Sequence, residues 1–360
     1  MEGPCATFGE RRAWRCGHLR LNTRTHRADP TESLLSWGVS RSRGGIDARP
    51  RPGGGLAVGH SENPEASSGV TVVLFDSAVP TVVEVRGGAS ATYDTASLSH
   101  DSTFGRRSAP FFAGGSLYGL DAARGVRLRV LERGGGHRAF RNPNLVAPVS
   151  GAALFDPPRR KGSIPDYLPL GYEAACRASR EEVPVGRVGA GAGATVGKYR
   201  GRDCAMPGGI GTAAAYLGRR GSLGVRLVVN AFGAVRDPST GHWVAGARDD
   251  RGRVTPPGPG PSVLDPSSGI TLGLVATDFE VDGPTLARVV AMAHAGLAST
   301  VTPFHGATDG DVLFGVSTGT AGRGPSERRP GENANRLGVL AAQLAARASL
   351  GAVRVANAEP

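Results

Sequence analysis

The feature that most constrains this 360-residue chain is a proline- and glycine-rich loop that runs directly towards a buried strand. Residues 256–261 hold four prolines and two glycines, which exclude a helix or a central strand there. The apolar run of a core strand follows at Ile270, Leu272, Leu274 and Val275. An enzyme that cuts its own chain, and then uses the new N-terminal residue as its nucleophile, needs a flexible segment placed before a rigid strand in this way.

Composition places the chain among soluble globular proteins. Its hydrophobic content is 39% and its charged content is 20%. No apolar run approaches the roughly 18 residues of a membrane helix, and the first 25 residues lack the apolar core of a secretory signal. We therefore predict a cytoplasmic protein that does not bind a membrane. Residues 1–44 are arginine-rich and aperiodic, which predicts a disordered leader, or an upstream mis-start of translation, before one folded domain at residues 45–360.

The formal net charge of +11 does not by itself indicate nucleic-acid binding. Every basic residue except Lys161 and Lys198 is arginine, and no basic helix, aromatic series or known nucleic-acid module accompanies them. A solvated basic surface is the simpler interpretation. The four cysteines include no Cys-x-x-Cys pair, so no zinc or redox motif is indicated, and reduced thiols are expected in the cytosol.

Local patterns predict a sequence of strands followed by helices. Residues 69–75 and 80–86 are apolar and β-branched with a short connection, which predicts an antiparallel hairpin. Residues 224–231 and 312–316 predict two further strands. Helices are predicted after the glycine turn at 114–115, from Pro284, and from about Asn335. This order favours a layered arrangement over a doubly wound sheet.

The glycine-rich stretch at 185–198 does not fit a nucleotide-binding motif. Ala192 stands where a Walker A glycine would precede Gly197 and Lys198, and Tyr199 replaces the hydroxyl residue that would bind magnesium. The dinucleotide-binding glycine pattern is absent as well. Close packing of the backbone is the better interpretation of these glycines.

Several short motifs occur in a characteristic order. They are Gly59-His60, Gly69-Val70-Thr71-Val72-Val73-Leu74, Val85-Arg86-Gly87-Gly88, Gly114-Gly115-Ser116, Val188-Gly189-Ala190-Gly191, Ala194-Thr195-Val196-Gly197-Lys198, Gly208-Gly209-Ile210-Gly211, Val229-Asn230-Ala231, Val275-Ala276-Thr277-Asp278, Met292-Ala293-His294 and Asp309-Gly310-Asp311. Over residues 44–350 this set resembles the L-aminopeptidase/D-esterase family of self-processing peptidases, which includes β-peptidyl aminopeptidases.

The resemblance implies a four-layer αββα sandwich that cuts itself in the loop before the strand described first. A new N-terminal Ser or Thr then attacks short peptides, amides or esters, and its own α-amine serves as the base. It also implies a homo-oligomer and neither a metal nor an organic cofactor. The ornithine acetyltransferases share this architecture and also cut before a Thr, which leaves an acyltransferase open.

Aligned on Val275-Ala276-Thr277-Asp278, the processing point falls at 269/270 and the nucleophile position falls on Ile270, which has no hydroxyl. Three interpretations follow. The chain is a binding or structural homologue without peptidase chemistry, such as a homo-oligomeric scaffold or a small-molecule binder. Alternatively, Thr271 acts, although strand alternation turns it to the opposite face. In the third interpretation, cleavage occurs at Ser267 or Ser268.

The resemblance assigns the supporting roles to other residues. Asn230 matches the oxyanion-stabilising asparagine, although a turn cap before Gly233 is an alternative. Asp309 and Asp311 match the polar residue and the acid that hydrogen-bond the nucleophile and its amine; a solvated turn is the alternative for them.

The remaining candidates concern the substrate pocket and the histidines. Ser116 and Tyr118 are candidates for the substrate pocket. We expect His294 to be structural, and we find no triad spacing for His60 or His305. The predicted function is therefore an aminopeptidase-type hydrolase.

Overall fold

The computed structural model describes residues 55–99, 102, 105–138, 145–156, 164–181, 184–217, 221–258, 269–322 and 330–358. The predicted leader at 1–44, and Ser267 and Ser268, lie outside these residues. The four α-helices of the described residues are α1 Ala122–Glu132, α2 Tyr167–Cys176, α3 Gly283–Ala298 and α4 Pro330–Ala358. The strands, in chain order, are β1 Leu56–Asn63, β2 Ser68–Phe75, β3 Val79–Arg86, β4 Ala91–Tyr93, β5 Arg106–Arg107, β6 Ala109–Ala113, β7 His137–Arg138, β8 Leu145–Val146, β9 Val149–Ala153, β10 Thr195–Val196, β11 Met206–Pro207, β12 Gly209–Tyr216, β13 Ser222–Asn230, β14 Ala234–Arg236, β15 Trp243–Ala245, β16 Ala247–Arg248, β17 Val254–Thr255, β18 Ile270–Thr277, β19 Val301–Thr302 and β20 Asp311–Ser317.

Two large sheets form the centre of the fold. The first sheet has the order β1-β2-β6-β9-β4, and the second has the order β12-β13-β18-β20-β3-β5. Neighbouring strands are antiparallel except for β6 with β9 and β18 with β20, which are parallel. The long strand β18 therefore lies in the middle of the second sheet, between β13 and β20.

Three apolar clusters join four layers. Helices α1 and α2 pack on the outer face of the first sheet, and α3 and α4 pack on the outer face of the second. A third cluster fills the space between the sheets and includes Phe112, Leu272 and Phe314. Each such fully buried side chain contributes roughly 1.5–3 kcal/mol of transfer free energy. The prediction of an αββα sandwich agrees with this layer order.

The predicted hairpin of β2 and β3 is wrong. Strand β2 pairs with β1 and β6 in the first sheet, whereas β3 pairs with β20 and β5 in the second. Asp76, Ser77 and Ala78 carry the chain from one sheet to the other. A short connection permits either a hairpin or a corner between two packed sheets, and the apolar residues of β2 are buried on both of its faces.

The helices agree with their sequence signals. Asp282 caps α3, its Oδ1 accepting the Thr285 N–H at 2.7 Å, and Pro284 lies in the first turn. Helix α4 begins at Pro330, five residues before the predicted start. By length and composition α4 would suffice to span a membrane, but half of that segment is buried and it packs on α3.

Cys176 is disulfide-bonded, so the expectation of reduced thiols is wrong for this residue.

Candidate functional site

The pairing of β13 with β18 places Asn230 directly opposite Ile270. Both residues are buried, with 0% and 2% of their surface exposed. Directly opposite residues of an antiparallel pair project from the same face of the sheet. The face is the one between the two sheets, because Val228 and Leu272, two positions further into each strand, belong to the cluster in that layer. The predicted oxyanion residue and the predicted nucleophile position are therefore neighbours.

Thr271 projects from the opposite face of β18. Strand alternation turns it towards the helical layer, where Val275 packs with α3 and α4. Its Oγ1 is buried and forms no hydrogen bond within the described residues. Thr271 thus has a hydroxyl, but the hydroxyl does not share a face with Asn230.

Asp311 begins β20 and connects it to the first residues of β18. Its Oδ1 accepts the Thr271 N–H at 2.6 Å, and its Oδ2 lies 2.8 Å from His305 Nδ1. Sequence analysis found no role for His305. No spacing rule would have identified it, because it reaches Asp311 from a loop position with a left-handed backbone (φ 60°).

Asp309 lies in the turn before β20 rather than in a strand. Its Oδ2 accepts the Gly306 N–H at 2.9 Å, whereas its Oδ1 is buried and has no hydrogen bond within the described residues. That free oxygen faces Gly269: a side chain at position 269 would collide with Asp309 Oδ1 and with the Phe232 N–H. Burial, followed by the nearby Asp311 carboxylate, raises the pKa of Asp309 to about 6.

Lys198, which sequence analysis considered only as part of a rejected nucleotide motif, is buried beside Asn230. Its Nζ lies 2.9 Å from the Asn230 O and Oδ1 atoms and 2.9 Å from the Thr195 carbonyl. Burial lowers the pKa of Lys198 to about 7, an effect that the Asp309 carboxylate opposes. An ammonium group of this kind gains or loses its proton near neutral pH, as a group that handles protons must.

The contacts of Asn230 fix the orientation of its amide. Lys198 Nζ and the Thr195 N–H both donate to Oδ1, so Nδ2 must point the other way, where it donates to the Phe155 carbonyl at 3.1 Å. One N–H of Nδ2 remains for an oxyanion. The side chain spans three segments of the chain in this way and does not cap the turn before Gly233.

A cavity of about 400 Å³ has Phe155 in its lining. Phe155, whose carbonyl binds Asn230, lines it together with Ser116 and Tyr118, the two predicted pocket residues. Asp156, also in the lining, was missed by sequence analysis. Its Oδ1 accepts the Gly115 N–H at 2.6 Å and its Oδ2 forms no hydrogen bond within the described residues. Burial raises the pKa of Asp156 to about 7, against the lowering effect of the Gly115 N–H.

A larger cavity, of about 930 Å³, lies elsewhere. Tyr93, Arg106 and Arg127 line it, at the opposite end of β6 and β9, and none of the predicted site residues does. The smaller cavity is the functional candidate because Phe155, which lines it, binds Asn230 through its carbonyl.

The prediction of a structural role for His294 agrees with its surroundings. His294 is buried, its Nε2 lies 3.4 Å from the Glu84 carbonyl, and burial lowers its pKa to about 3, which agrees with a structural role. Within the residues that the structure describes, no group of three His, Cys, Asp or Glu side chains is arranged to hold a metal ion.

Comparison with known proteins identifies the family. The sequence profile of peptidase family S58 matches residues 54–359. An uncharacterized aminopeptidase of Mycobacterium tuberculosis is 35% identical over 334 residues, which cover 85% of this chain and 93% of the relative. A 6-aminohexanoate-oligomer endohydrolase of Kocuria sp. is 28% identical over 308 residues, 81% of each chain.

A solved structure shows the same fold. The L-aminopeptidase D-Ala-esterase/amidase from Ochrobactrum anthropi, described as a variant of the Ntn hydrolase fold, superposes with a TM-score of 0.58 at 19% identity, over 84% of each chain. The predicted αββα architecture and the predicted resemblance are therefore confirmed. This chain belongs to peptidase family S58.

Proposed function

We propose that this peptidase-family chain binds the amino end of short peptides or amides and does not cut them through residue 270. The observation that carries the proposal is the direct pairing of Ile270 with Asn230. The position next to the candidate oxyanion donor holds a hydrocarbon side chain, which forms neither the ester of self-cleavage nor an acyl-enzyme. On this proposal the chain stays uncut at 269/270.

The other charged groups of the site support continued ligand binding. Lys198, Asp309 and Asp311 are all buried, with 1–2% of their surface exposed. Burying charged groups costs several kcal/mol each unless their partners compensate, and apolar residues would often serve stability as well or better. Such a cluster is what a site needs in order to handle charge, and only the hydroxyl of the nucleophile is missing from it.

The cavity supports a ligand with a free amine. Asp156 lines a space of about 400 Å³, and a carboxylate there suits an ammonium group. Asn230 Nδ2 binds the carbonyl of Phe155, which lines the same cavity, so on this proposal a ligand whose amine contacts Asp156 has its first carbonyl towards Asn230. Ser116 and Tyr118 would line the side chain of its first residue.

The chemistry that the site would perform with a hydroxyl at 270 is acyl transfer. The hydroxyl would attack the carbonyl, the Asn230 N–H would stabilise the oxyanion, and Lys198 or the new α-amine would take the proton. One preorganised oxyanion donor is worth about 3 kcal/mol. The relatives named as an aminopeptidase and as a 6-aminohexanoate-oligomer endohydrolase suggest linear amides as the ligand class.

A second candidate is amide hydrolysis by Thr271. The observation in its favour is the buried Thr271 Oγ1 without a hydrogen bond. This route requires β18 to shift by one residue so that Thr271 faces Asn230, which would also turn Leu272 and Leu274 out of the core between the sheets. The cost of that shift makes hydrolysis by Thr271 the less favoured of the two candidates.

The main proposal also treats residues 45–360 as one domain of a cytoplasmic homo-oligomer.

A denaturing gel with intact-mass analysis, together with calorimetric titration of an L-alanine amide, tests the proposal. We expect one uncut chain that binds the amide without hydrolysing it. Two fragments that begin at or next to residue 270, or turnover of the amide by the wild-type chain, would contradict it.

A further inference from the structure

Two cross-strand pairs, one in each sheet, project into the layer between the sheets, away from the candidate site. Thr212 lies directly opposite Arg226 in the second sheet, and His60 lies directly opposite Thr71 in the first. All four side chains project into the layer between the sheets, because residues two positions away on each strand belong to the apolar cluster of that layer. A cationic group has therefore been placed inside a hydrophobic layer.

Arg226 is a buried cation without an anion among the described residues. Only 6% of its surface is exposed, and its Nη1 is fully buried without a hydrogen bond. No carboxylate in the described part of the chain forms an ion pair with it or offsets the cost of its burial. Burial lowers the pKa of Arg226 to about 10, so the side chain keeps its charge at neutral pH. A charge buried without compensation is among the most costly features that a fold can contain.

The groups around Arg226 offer hydrogen-bond donors. Thr212 Oγ1 is buried and forms no hydrogen bond in the described part of the chain. On the other sheet, Thr71 Oγ1 accepts the Ala190 N–H at 3.0 Å and lies 2.9 Å from His60 Nδ1. We assign the ring proton of neutral His60 to Nε2, because the Pro184 carbonyl near Nε2 is an acceptor and the Thr71 hydroxyl can donate to Nδ1.

His60 is neutral in this setting. Burial, followed by the positive charge of Arg226, lowers its pKa to about 3. A neutral imidazole N–H and a hydroxyl next to a guanidinium form a set of donors that suits an anion and repels a cation.

We propose that Arg226, Thr212 and His60 bind one small monovalent anion, of the size of chloride, between the two sheets. The size follows from burial: Arg226 and Thr212 are 6% and 8% exposed, and Leu274 packs opposite Arg226, so there is no room for a phosphate ester or a peptide. The anion neutralises Arg226 and ties the second sheet to the first. Arg226 and Asn230 are four residues apart on one strand, about 13 Å, so this site is independent of the proposed peptide site.

Unfolding of the full chain at constant ionic strength tests the anion site. Sodium chloride replaces sodium gluconate stepwise while urea unfolding is measured. For one site that only the folded state contains, the unfolding equilibrium constant falls about tenfold for each tenfold rise in chloride above the dissociation constant. Arg226→Met should abolish this dependence on chloride, and Thr212→Val should weaken it. Arg253→Met, which removes an exposed arginine paired with Asp249, is the matched control and should keep it.

Crystals grown in sodium bromide provide a second measurement that does not depend on the variants' folding. An anomalous peak should lie in contact with Arg226 and Thr212. The proposal is overturned if wild type and Arg226→Met respond equally to chloride. It is also overturned if no peak appears there, or if a carboxylate of this chain or of a second copy contacts the guanidinium instead.

Discussion

Asn230 and Ile270 are direct partners across the β13–β18 ladder, and both project into the layer between the sheets. The first is the candidate oxyanion donor, and the second occupies the position where a nucleophilic hydroxyl would stand. Because the ladder fixes this register over eight residue pairs, the pairing is a property of the fold rather than of two mobile side chains. The proposed function depends on this relationship.

Substitution of Asp156 by Asn should weaken binding of an amide with a free amine by roughly 10- to 100-fold, since a charge-assisted hydrogen bond is worth about 1.5–3 kcal/mol. The wild-type affinity should rise with pH as Asp156 ionises around its pKa of about 7, and it should level off or fall as the ligand amine deprotonates. Titration calorimetry between pH 5.5 and 8.5 measures both effects. Asp203→Asn, a change at another acidic residue of the chain, is the control. A pH dependence that persists in Asp156→Asn would contradict the assignment of Asp156 as the partner of the ligand amine.

Substitution of Lys198 by Met should destabilise the fold by about 3–5 kcal/mol at pH 6, where Lys198 is still charged, because it leaves the buried acids Asp309 and Asp311 without their cation. Urea unfolding followed by circular dichroism gives the free energy of unfolding. Lys161→Met, which changes the net charge equally, serves as the comparison. Equal stabilities of the two variants would show that Lys198 does not compensate these carboxylates.

Asp309 should make the stability of the chain depend on pH. Its folded-state pKa of about 6 lies above the unfolded value near 4, so the folded state holds the proton more tightly and stability falls as pH rises from about 4 to about 6. About two pKa units correspond to about 3 kcal/mol. His60 and His294, with pKa values lowered to about 3, act in the opposite direction over the same range, so the difference between wild type and Asp309→Asn is the informative quantity.

Between pH 4 and pH 7, the free energy of unfolding of the wild type should fall by about 3 kcal/mol relative to that of Asp309→Asn. Urea unfolding of both proteins at matched pH values measures it. A difference that stays constant with pH would show that Asp309 ionises normally.

Substitution of Gly269 by Ala should destabilise the start of β18. The added Cβ would overlap the Phe232 N–H and Asp309 Oδ1, at contacts that no rotamer change of residue 269 relieves. Overpacking of this kind costs about 1–3 kcal/mol. Gly258→Ala is the matched control, because nothing in the described residues lies within contact of a Cβ there. A loss of stability no greater than that of the control would contradict the tight packing at 269.

Sequence patterns could predict the core of this fold because the information is local. Alternation placed Ile270 and Thr271 on opposite faces of β18, and motif order placed Asn230 and Asp311 near its start; the structure has both arrangements. The hairpin of β2 and β3 was wrong because a three-residue connection does not specify whether the next strand joins the same sheet. That choice depends on how the two sheets pack.

The site residues that could not be predicted from the sequence come from distant segments of the chain. Lys198 begins a short 3₁₀ helix, whereas Asp156 and His305 lie in loops, and the packing of the two sheets brings each of them to the site. Their sequence contexts resemble a nucleotide motif, a strand end and an ordinary turn. Burial with too few hydrogen bonds is what marks Asp156, and burial is visible only in three dimensions.

The most direct test of the central claim is the intact mass of three purified proteins under denaturing conditions: wild type, Ile270→Thr and Ile270→Val. Thr and Val have the same shape, so they differ only in the hydroxyl, and either replacement of Ile should cost only about 0.5–1.5 kcal/mol of packing plus the burial of one polar group. We predict that wild type and Ile270→Val remain single chains and that Ile270→Thr separates into two fragments at 269/270. Fragments from the wild type, or an Ile270→Thr protein that folds, binds the amide and stays uncut, would contradict the claim that residue 270 is the nucleophile position.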